Sequence, residues 1–143
     1  MRKVLRPRYY CDFCKKGGGS GGHMKKHESR CTLNPKRECG MCKLADAEQP
    51  DLSVLTAILP LPETISTTQY SDDGKHSWIA FREVDGDTMK DLREAAGNCP
   101  ACIMAAFRQR GIPVSLATGF NFTEESKRVW SDFNEQQYAE RPY

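Results

Sequence analysis

Three pairs of cysteines with the spacing C-x-x-C constrain this chain more than any other feature. The pairs are Cys11/Cys14, Cys39/Cys42 and Cys99/Cys102, and Cys31 is the seventh cysteine. A chain of 143 residues that is 38% hydrophobic has a thin apolar core, so we expect it to need cross-links. The odd cysteine count, and a basic start with no apolar run after it, favour metal ligands in a cytoplasmic protein over disulfide bonds.

The segment Cys11-x2-Cys14-x12-His27-x3-Cys31 has the ligand spacing of a tetrahedral zinc site. His27 and Cys31 are four residues apart, which places them on one face of a helix. His23 lies one turn earlier and is an alternative ligand in place of His27 or Cys31, although a histidine there is more often a surface residue. This segment therefore predicts one structural zinc ion.

The other four cysteines predict a second zinc ion, held by Cys39, Cys42, Cys99 and Cys102. Seven cysteines and His27 make two complete sets of four ligands. A second assignment has the same stoichiometry and stays open: Cys11 and Cys14 with Cys99 and Cys102, and His27 and Cys31 with Cys39 and Cys42. A redox role for Cys99/Cys102 is the less favoured reading, because no βαβ pattern precedes the pair.

Residues 9–31 resemble a classical two-cysteine/two-histidine zinc finger whose last histidine is replaced by Cys31. Tyr9 matches the aromatic residue before the first cysteine of that family, and Met24 matches its core leucine. Gly18 occupies the position of the family's core aromatic, so Tyr10 or Phe13 is expected to fill the gap. The resemblance implies a ββα unit that holds zinc.

The resemblance also implies which helix positions would face a nucleic acid: Ser20, His23 and Lys26. Gly21 and Gly22 loosen the first turn of the helix, so we expect weak sequence readout. The segment from His23 to Pro35, together with the cysteine pair Cys39 to Cys42 after it, is also similar to the layout of small zinc-finger proteins encoded by bacteriophages. That likeness implies a viral accessory or regulatory protein, which would act in the host cell cytoplasm.

The charge distribution divides the chain into two predicted domains. The head, residues 1–43, carries twelve Lys/Arg and three Asp/Glu (net +9), and the body, residues 44–143, carries nine and sixteen (net −7). A basic head on an acidic body indicates that the head meets a polyanion. The candidate phosphate contacts, in addition to Ser20 and His23, are Lys15, Lys16, Lys25, Lys26, Arg30, Lys36 and Arg37.

The body is predicted to be a small α+β unit, so the whole chain is classed as a zinc-stapled α+β fold. Apolar spacing predicts a helix over 51–59, an extended hairpin over 64–84, and helices over 87–96 and 100–110. Val114 to Phe122 is predicted as a strand. A last helix begins at Thr123, with Val129, Trp130, Phe133 and Tyr138 as its apolar anchors. The three aromatic residues are expected in the core, and an exposed stripe that binds a partner is the alternative.

No enzyme motif is recognisable in the sequence. A zinc deaminase has H-x-E and P-C-x-x-C, whereas Glu28 follows His27 directly and Pro100 lies inside its cysteine pair. We therefore expect a non-enzymatic zinc-binding adaptor whose basic finger contacts DNA or RNA and whose acidic body can bind a protein. A protein-interaction or virion component with purely structural zinc ions is the alternative. No small-molecule substrate is expected, and the longest apolar run, 54–59, is too short to span a membrane.

Overall fold

The computed structural model describes residues 1–140, which form six α-helices and two small antiparallel sheets. The predicted α+β class is confirmed. Residues 141–143, the end of the predicted body, lie outside the described residues. The boundary between head and body near residue 43 stays a prediction.

The head has the order ββα followed by a short helix. Its elements are β1 (Tyr9–Tyr10), β2 (Gly17–Gly18), α1 (Gly21–Arg30) and α2 (Gly40–Leu44). β1 pairs with β2 through Tyr9 opposite Gly18 and Tyr10 opposite Gly17. Ser20 caps α1, because its Oγ accepts a hydrogen bond from the amide of His23 at 3.3 Å. The glycines therefore form a strand and a helix start.

Four helices and one hairpin make up the described part of the body. They are α3 (Leu52–Ile58), β3 (Ser66–Tyr70), β4 (Ser77–Phe81), α4 (Gly86–Ala96), α5 (Pro100–Arg110) and α6 (Phe122–Glu140). Single 3₁₀ turns lie at Pro62–Thr64 and Val114–Leu116. The predicted hairpin is confirmed, with Thr68 opposite Ile79 at its centre.

Helix ends follow local chemistry, with one change from the prediction. α4 begins at Gly86, one residue before the predicted start at residue 87, since the Asp85 carboxylate caps it by accepting from the Thr88 amide at 2.7 Å. Gly97 and Gly111 end α4 and α5 with φ of 60° and 78°, a left-handed conformation that glycine adopts without steric cost. Both helices therefore end in a sharp turn.

The predicted strand over 114–122 is wrong. Pro113 precedes a 3₁₀ turn, and Gly119 turns the chain away at φ 69°. Only one bridge of strand type remains, between Val84 and Ala117. Thr118 strengthens it, since its hydroxyl donates to the Val84 carbonyl at 2.6 Å. The apolar residues of this segment therefore cover the core edge without pairing as a strand.

The core of the body forms where α3 and α4 pack against α5. Phe107 of α5 is the largest fully buried side chain, and Leu55, Leu92 and Ile103 around it are likewise inaccessible to solvent. Cys39, Cys42 and Cys102 belong to the same buried cluster. A separate small cluster in the head consists of Cys11, Met24 and Cys31. The second group of cysteines is thus part of the main core, and the first is not.

The prediction that Trp130 and Tyr138 anchor α6 in the core is wrong. Trp130 is 49% exposed and Tyr138 is 74% exposed, while Val129 and Phe133 are half-buried. The Trp130 and Phe133 rings meet edge to face at 6.4 Å between centroids. The apolar spacing correctly indicated one face of α6, but α5 covers only part of that face.

An ion pair joins α4 to the first turn of α6. Arg93 donates to both carboxylate oxygens of Glu125, at 2.6 and 3.1 Å, and to the Gly119 carbonyl at 2.8 Å. The Asn121 amide also donates to Glu125, at 3.1 Å. The hydrogen bonds from Arg93 lower the pKa of Glu125 below its ordinary value. The carboxylate form therefore stabilises the native state.

We expect Glu125→Gln to destabilise the fold by about 1 kcal/mol at pH 7, allowing for partial solvent screening of the pair. Because the pKa of Glu125 is lowered by folding, its contribution is present above the ordinary pKa of a glutamate and is lost as pH falls through the folded value. The difference between the two proteins should thus stay constant from pH 7 to about 4.3, the ordinary pKa of a glutamate, and shrink only as pH falls further. Urea unfolding at several pH values measures it.

The matched control is Glu124→Gln, which makes the same charge change in the same turn. Among the described residues Glu124 has no ion pair. The variant should therefore show no comparable pH-dependent loss. An equal loss in both variants would mean that the charge at the helix start matters, and the pair with Arg93 does not.

Within residues 1–140, none of the helices combines the length and the apolar character that crossing a membrane requires.

Candidate metal centres

The first candidate centre lies between the β-hairpin of the head and α1. The ligand atoms of Cys11, Cys14, His27 and Cys31 all lie within 4.8 Å of one another. His27 Nε2 is 3.2 Å from Cys14 Sγ. His27 lies in the last turn of α1, and Cys31 is the residue that caps the helix, so the two still meet on one side. The structure places all four predicted ligands together.

Backbone amides point at the thiols of the first centre. The Phe13 amide donates to Cys11 Sγ and the Lys16 amide donates to Cys14 Sγ, each at 3.4 Å. Such N–H groups stabilise the thiolate form that a metal needs. The turn from Cys11 to Cys14 also contacts α1, because the Asp12 amide donates to the Glu28 carboxylate at 2.9 Å. The amides and this hydrogen bond therefore hold the turn that carries Cys11 and Cys14 in place.

The aromatic residues expected to fill the gap at Gly18 do not do so. Tyr10 is 62% exposed and Phe13 is 41% exposed, whereas Met24 is buried. The Tyr10 ring lies over Gly17, where a Cβ would meet it at 2.8 Å. The interior of the ββα unit is thus little more than Met24 and the four donors, which leaves the metal as the main source of stability of that unit.

The second candidate centre joins α2 to α5. Cys39, Cys42, Cys99 and Cys102 have Sγ atoms within 4.8 Å of one another; the Cys39–Cys99 and Cys42–Cys102 distances are 3.5 and 3.6 Å. Cys39 precedes α2 and Cys99 precedes α5, so both pairs lie at helix N-termini. The positive ends of the two helix dipoles favour thiolates there. The centre connects parts of the chain separated by 56 residues.

Both donor sets fit zinc. A tetrahedral zinc ion with Zn–S bonds of about 2.3 Å places its sulfur ligands roughly 3.8 Å apart, close to the observed separations. Four soft donors with no additional ligand are typical of closed structural sites. The two clusters are consistent with the two predicted zinc ions. The preferred pairing of cysteines is the one found, and the alternative pairing is wrong.

Burial of the second centre opposes free thiolates. Burial, followed by repulsion from Cys99 and Cys39, raises the pKa of Cys42 to about 12. Hydrogen bonds from Cys102 and Cys99 lower the pKa of Cys39 well below that of a free thiol. A metal ion must therefore displace a proton from at least Cys42 when it binds, which makes metal affinity pH-dependent.

Two glutamines that the sequence did not indicate hold the centres in place. The Gln49 side chain accepts from the Cys39 amide and donates to the Arg37 carbonyl, each at 2.6 Å. Gln109 of α5 donates to the carbonyls of Thr32 and Asn34, each at 3.0 Å. The segment between the two centres is thereby fixed to α5. Glutamines in loops and on helices carry no sequence signal for such contacts.

The proposed nucleic-acid residues of the head differ in accessibility. Ser20, His23, Lys15, Lys16, Lys25, Lys26, Arg30 and Lys36 are exposed, whereas Arg37 is only 6% exposed. His23 belongs to neither cluster of donors found in the described residues. Lys15 and Lys16 follow Cys14, three of the cations lie on α1, and Lys36 lies between α1 and α2. Their role in binding stays a prediction.

Comparisons with known proteins give no relative for this chain: no family model, curated protein or solved structure matches it.

Proposed function

We propose that this chain is a non-enzymatic zinc-binding adaptor whose basic head contacts DNA or RNA. Six exposed lysine and arginine side chains around a ββα unit are the observation that supports this most: Lys15, Lys16, Lys25, Lys26, Arg30 and Lys36. Phosphate contacts from such side chains supply most of the affinity in sequence-independent binding. The ββα order also supports a relationship to zinc fingers. The layout resemblance extends the proposal to a phage-encoded regulator acting in the host cytoplasm.

A structural role for both metals supports the non-enzymatic part of the proposal. Each cluster supplies four soft donors, which fill a tetrahedral zinc site and leave no position for a substrate or a reactive water. The second centre is buried in the core of the body. Zinc would then act as a cross-link that holds the head at a fixed place on the body.

Nucleic-acid binding is tested by the salt dependence of the affinity. We expect the triple variant K25Q/K26Q/K36Q to bind single- or double-stranded oligonucleotides more weakly than the wild type at 50 mM salt. The loss of three phosphate contacts should make the slope of log K against log salt less steep by roughly 2 to 3. Fluorescence anisotropy with labelled oligonucleotides measures both quantities.

The matched control removes the same charge from the body. Lys75, Lys90 and Lys127 are all exposed and lie outside the head, so K75Q/K90Q/K127Q should leave the salt slope unchanged. An equal change in both triple variants would indicate a response to net charge alone. No measurable binding by the wild type at low salt would overturn the proposal.

An interaction module with purely structural zinc ions is the second candidate, and the hairpin favours it. Tyr70, Trp78 and Ile79 are 67%, 49% and 64% exposed, an unusual concentration of large apolar side chains on a two-stranded sheet. This candidate predicts no nucleic-acid binding. Instead, the substitution Ile79→Lys would abolish capture of a protein partner without lowering the melting temperature, which separates the two functions.

A further inference from the structure

Arg37 is buried without any partner for one of its terminal nitrogens. Its side chain is 6% exposed, and Nη1 has no hydrogen-bond partner. Within residues 1–140 no carboxylate forms an ion pair with it. Nε donates only to the Arg30 carbonyl, at 3.4 Å. A buried cation with unused donors is costly unless an anion meets it.

The backbone of Arg37 is held firmly. Its amide donates to the Asn34 carbonyl at 3.2 Å, and its own carbonyl accepts from Gln49 at 2.6 Å. The neighbouring Glu38 amide donates to the Ser29 carbonyl at 2.8 Å. The backbone that carries the side chain is therefore fixed before any ligand arrives, and Nε is held at the Arg30 carbonyl, which lowers the entropic cost of binding.

Arg37 lines a cleft of about 540 Å³, which we name the Arg37 cleft. Its other charged lining residues are Arg30 and Lys43, and no carboxylate lines it. Lys43 reaches Glu38 at 3.8 Å, but both side chains are largely exposed, so this pair is weak. The volume lies within the range of about 300 to 1,000 Å³ typical of small-molecule sites.

The rest of the Arg37 cleft is apolar. Met41 and Leu44 of α2 line it together with Trp130 of α6, whose indole is half exposed. A flat aromatic surface next to clustered cations is the combination that binds a nucleotide, because the base stacks on the ring and the phosphate meets the cations. This use also accounts for a large aromatic side chain that the core leaves uncovered.

The number of cations favours a phosphate over a carboxylate. A phosphomonoester carries a charge of about −1.5 to −2 at neutral pH, whereas a carboxylate carries one negative charge against three cations. A four-thiolate zinc centre has a net charge of −2, and Cys39 lies two residues from Arg37, so the anionic centre offsets part of the positive charge of the cleft. It supplies no hydrogen-bond acceptor to Nη1, however.

We propose that the Arg37 cleft binds a nucleoside monophosphate group, with its phosphate at Arg37 and its base on Trp130. The group is either a free mononucleotide or the terminal nucleotide of a strand, and both present the same chemistry. Binding of a terminal nucleotide rests on the proposed function, since the cleft would then recognise the end of a strand that the basic head holds. The first source does not depend on that function.

Binding is measured by the fluorescence of Trp130. The chain has two tryptophans, so the exposed Trp78 is first replaced in the variant W78F, which leaves Trp130 as the only reporter. Adenosine 5′-monophosphate is expected to quench it saturably. Oligonucleotides of one sequence, with a 5′-phosphate or a 5′-hydroxyl, distinguish the two sources: tighter binding of the phosphorylated strand assigns the strand end, and binding of the mononucleotide alone assigns the free nucleotide.

Variants test the two halves of the cleft separately, with calorimetry as the readout. Trp130→Ala should weaken binding of adenosine 5′-monophosphate about tenfold or more, since it removes the stacking surface. Arg37→Gln should weaken it by at least a similar factor, and circular dichroism verifies that the variant folds. Lys90→Gln, on the surface of α4, is the control and should bind as the wild type does.

The inference would be overturned if neither adenosine 5′-monophosphate nor the 5′-phosphorylated strand bound to the protein. It would also be overturned if inorganic phosphate bound as tightly as the mononucleotide, or if a phosphoserine peptide bound more tightly. Failure of the proposed function is distinguishable, because K25Q/K26Q/K36Q should weaken both oligonucleotides equally and leave the mononucleotide unaffected.

Discussion

Cys102→Ser is expected to remove the cooperative unfolding transition of this protein or to lower its midpoint by roughly 15 to 20 °C, the shift expected for a loss of about 5 kcal/mol. The thiol of Cys102 is 1% exposed and belongs to the same buried cluster as Leu55 and Phe107. Structural zinc ions contribute about 10 to 16 kcal/mol in small peptides, comparable to or larger than the net stability of a whole domain. Loss of one ligand therefore opens the core as well as the metal site.

The matched control is Cys14→Ser, the same substitution in the first centre. Cys14 is half-buried, and the cluster around it is separate from the main core. This variant should lose one zinc ion and the structure of the head, yet keep the transition of the body close to that of the wild type. Native mass spectrometry gives the zinc count of each variant, and circular dichroism gives the transition.

The two variants together test the difference between the centres. If Cys102→Ser melted like the wild type, the second centre would contribute nothing to the core. If Cys14→Ser lost its transition as completely as Cys102→Ser, the head and the body would unfold as one unit. A wild-type protein carrying fewer than two zinc ions would contradict the assignment of both centres.

The metal ligands were predictable because their signal is local. The spacing C-x-x-C and the interval from His27 to Cys31 limit which donors can meet, and the count of eight donors leaves few assignments. The choice between the two pairings depends on where α5 lies relative to α2, which is a tertiary fact. The cysteine spacing does not determine the relative position of the two helices, so the pairing was predicted from the number of ligands.

The helices of the body were predictable from their ends. Pro100 at the first position of α5 and Gly111 after its last turn are strong local signals, and Ile103 and Phe107 repeat at helical spacing. The segment 114–122 misled because Val114 and Leu116 alternate with polar residues as in a strand. Its partner would have been Val84, which offers a single bridge. Pairing partners, unlike helix ends, are distant in sequence.

The residues that sequence reasoning misplaced all depend on what lies opposite them. Arg37 belongs to a run of cations and was expected at the surface, but Gln49 and the Arg30 carbonyl hold it inside. Trp130 has the spacing of a core residue, yet it borders the Arg37 cleft and is 49% exposed. A periodic pattern shows which face of an element is apolar and cannot show how far its neighbour extends.

Phe107→Ala is expected to destabilise the body by about 3 to 5 kcal/mol, because it leaves a cavity at the centre of α3, α4 and α5. Phe81→Ala is the matched control, since its ring is 37% exposed on the hairpin, and it should cost no more than about 1 kcal/mol. Urea unfolding of the zinc-loaded proteins measures both. Phe107→Ala should also keep two zinc ions, because the ring is not a ligand. An equal loss of unfolding free energy in the two variants would mean that the metal centre, and not the apolar core, stabilises the body.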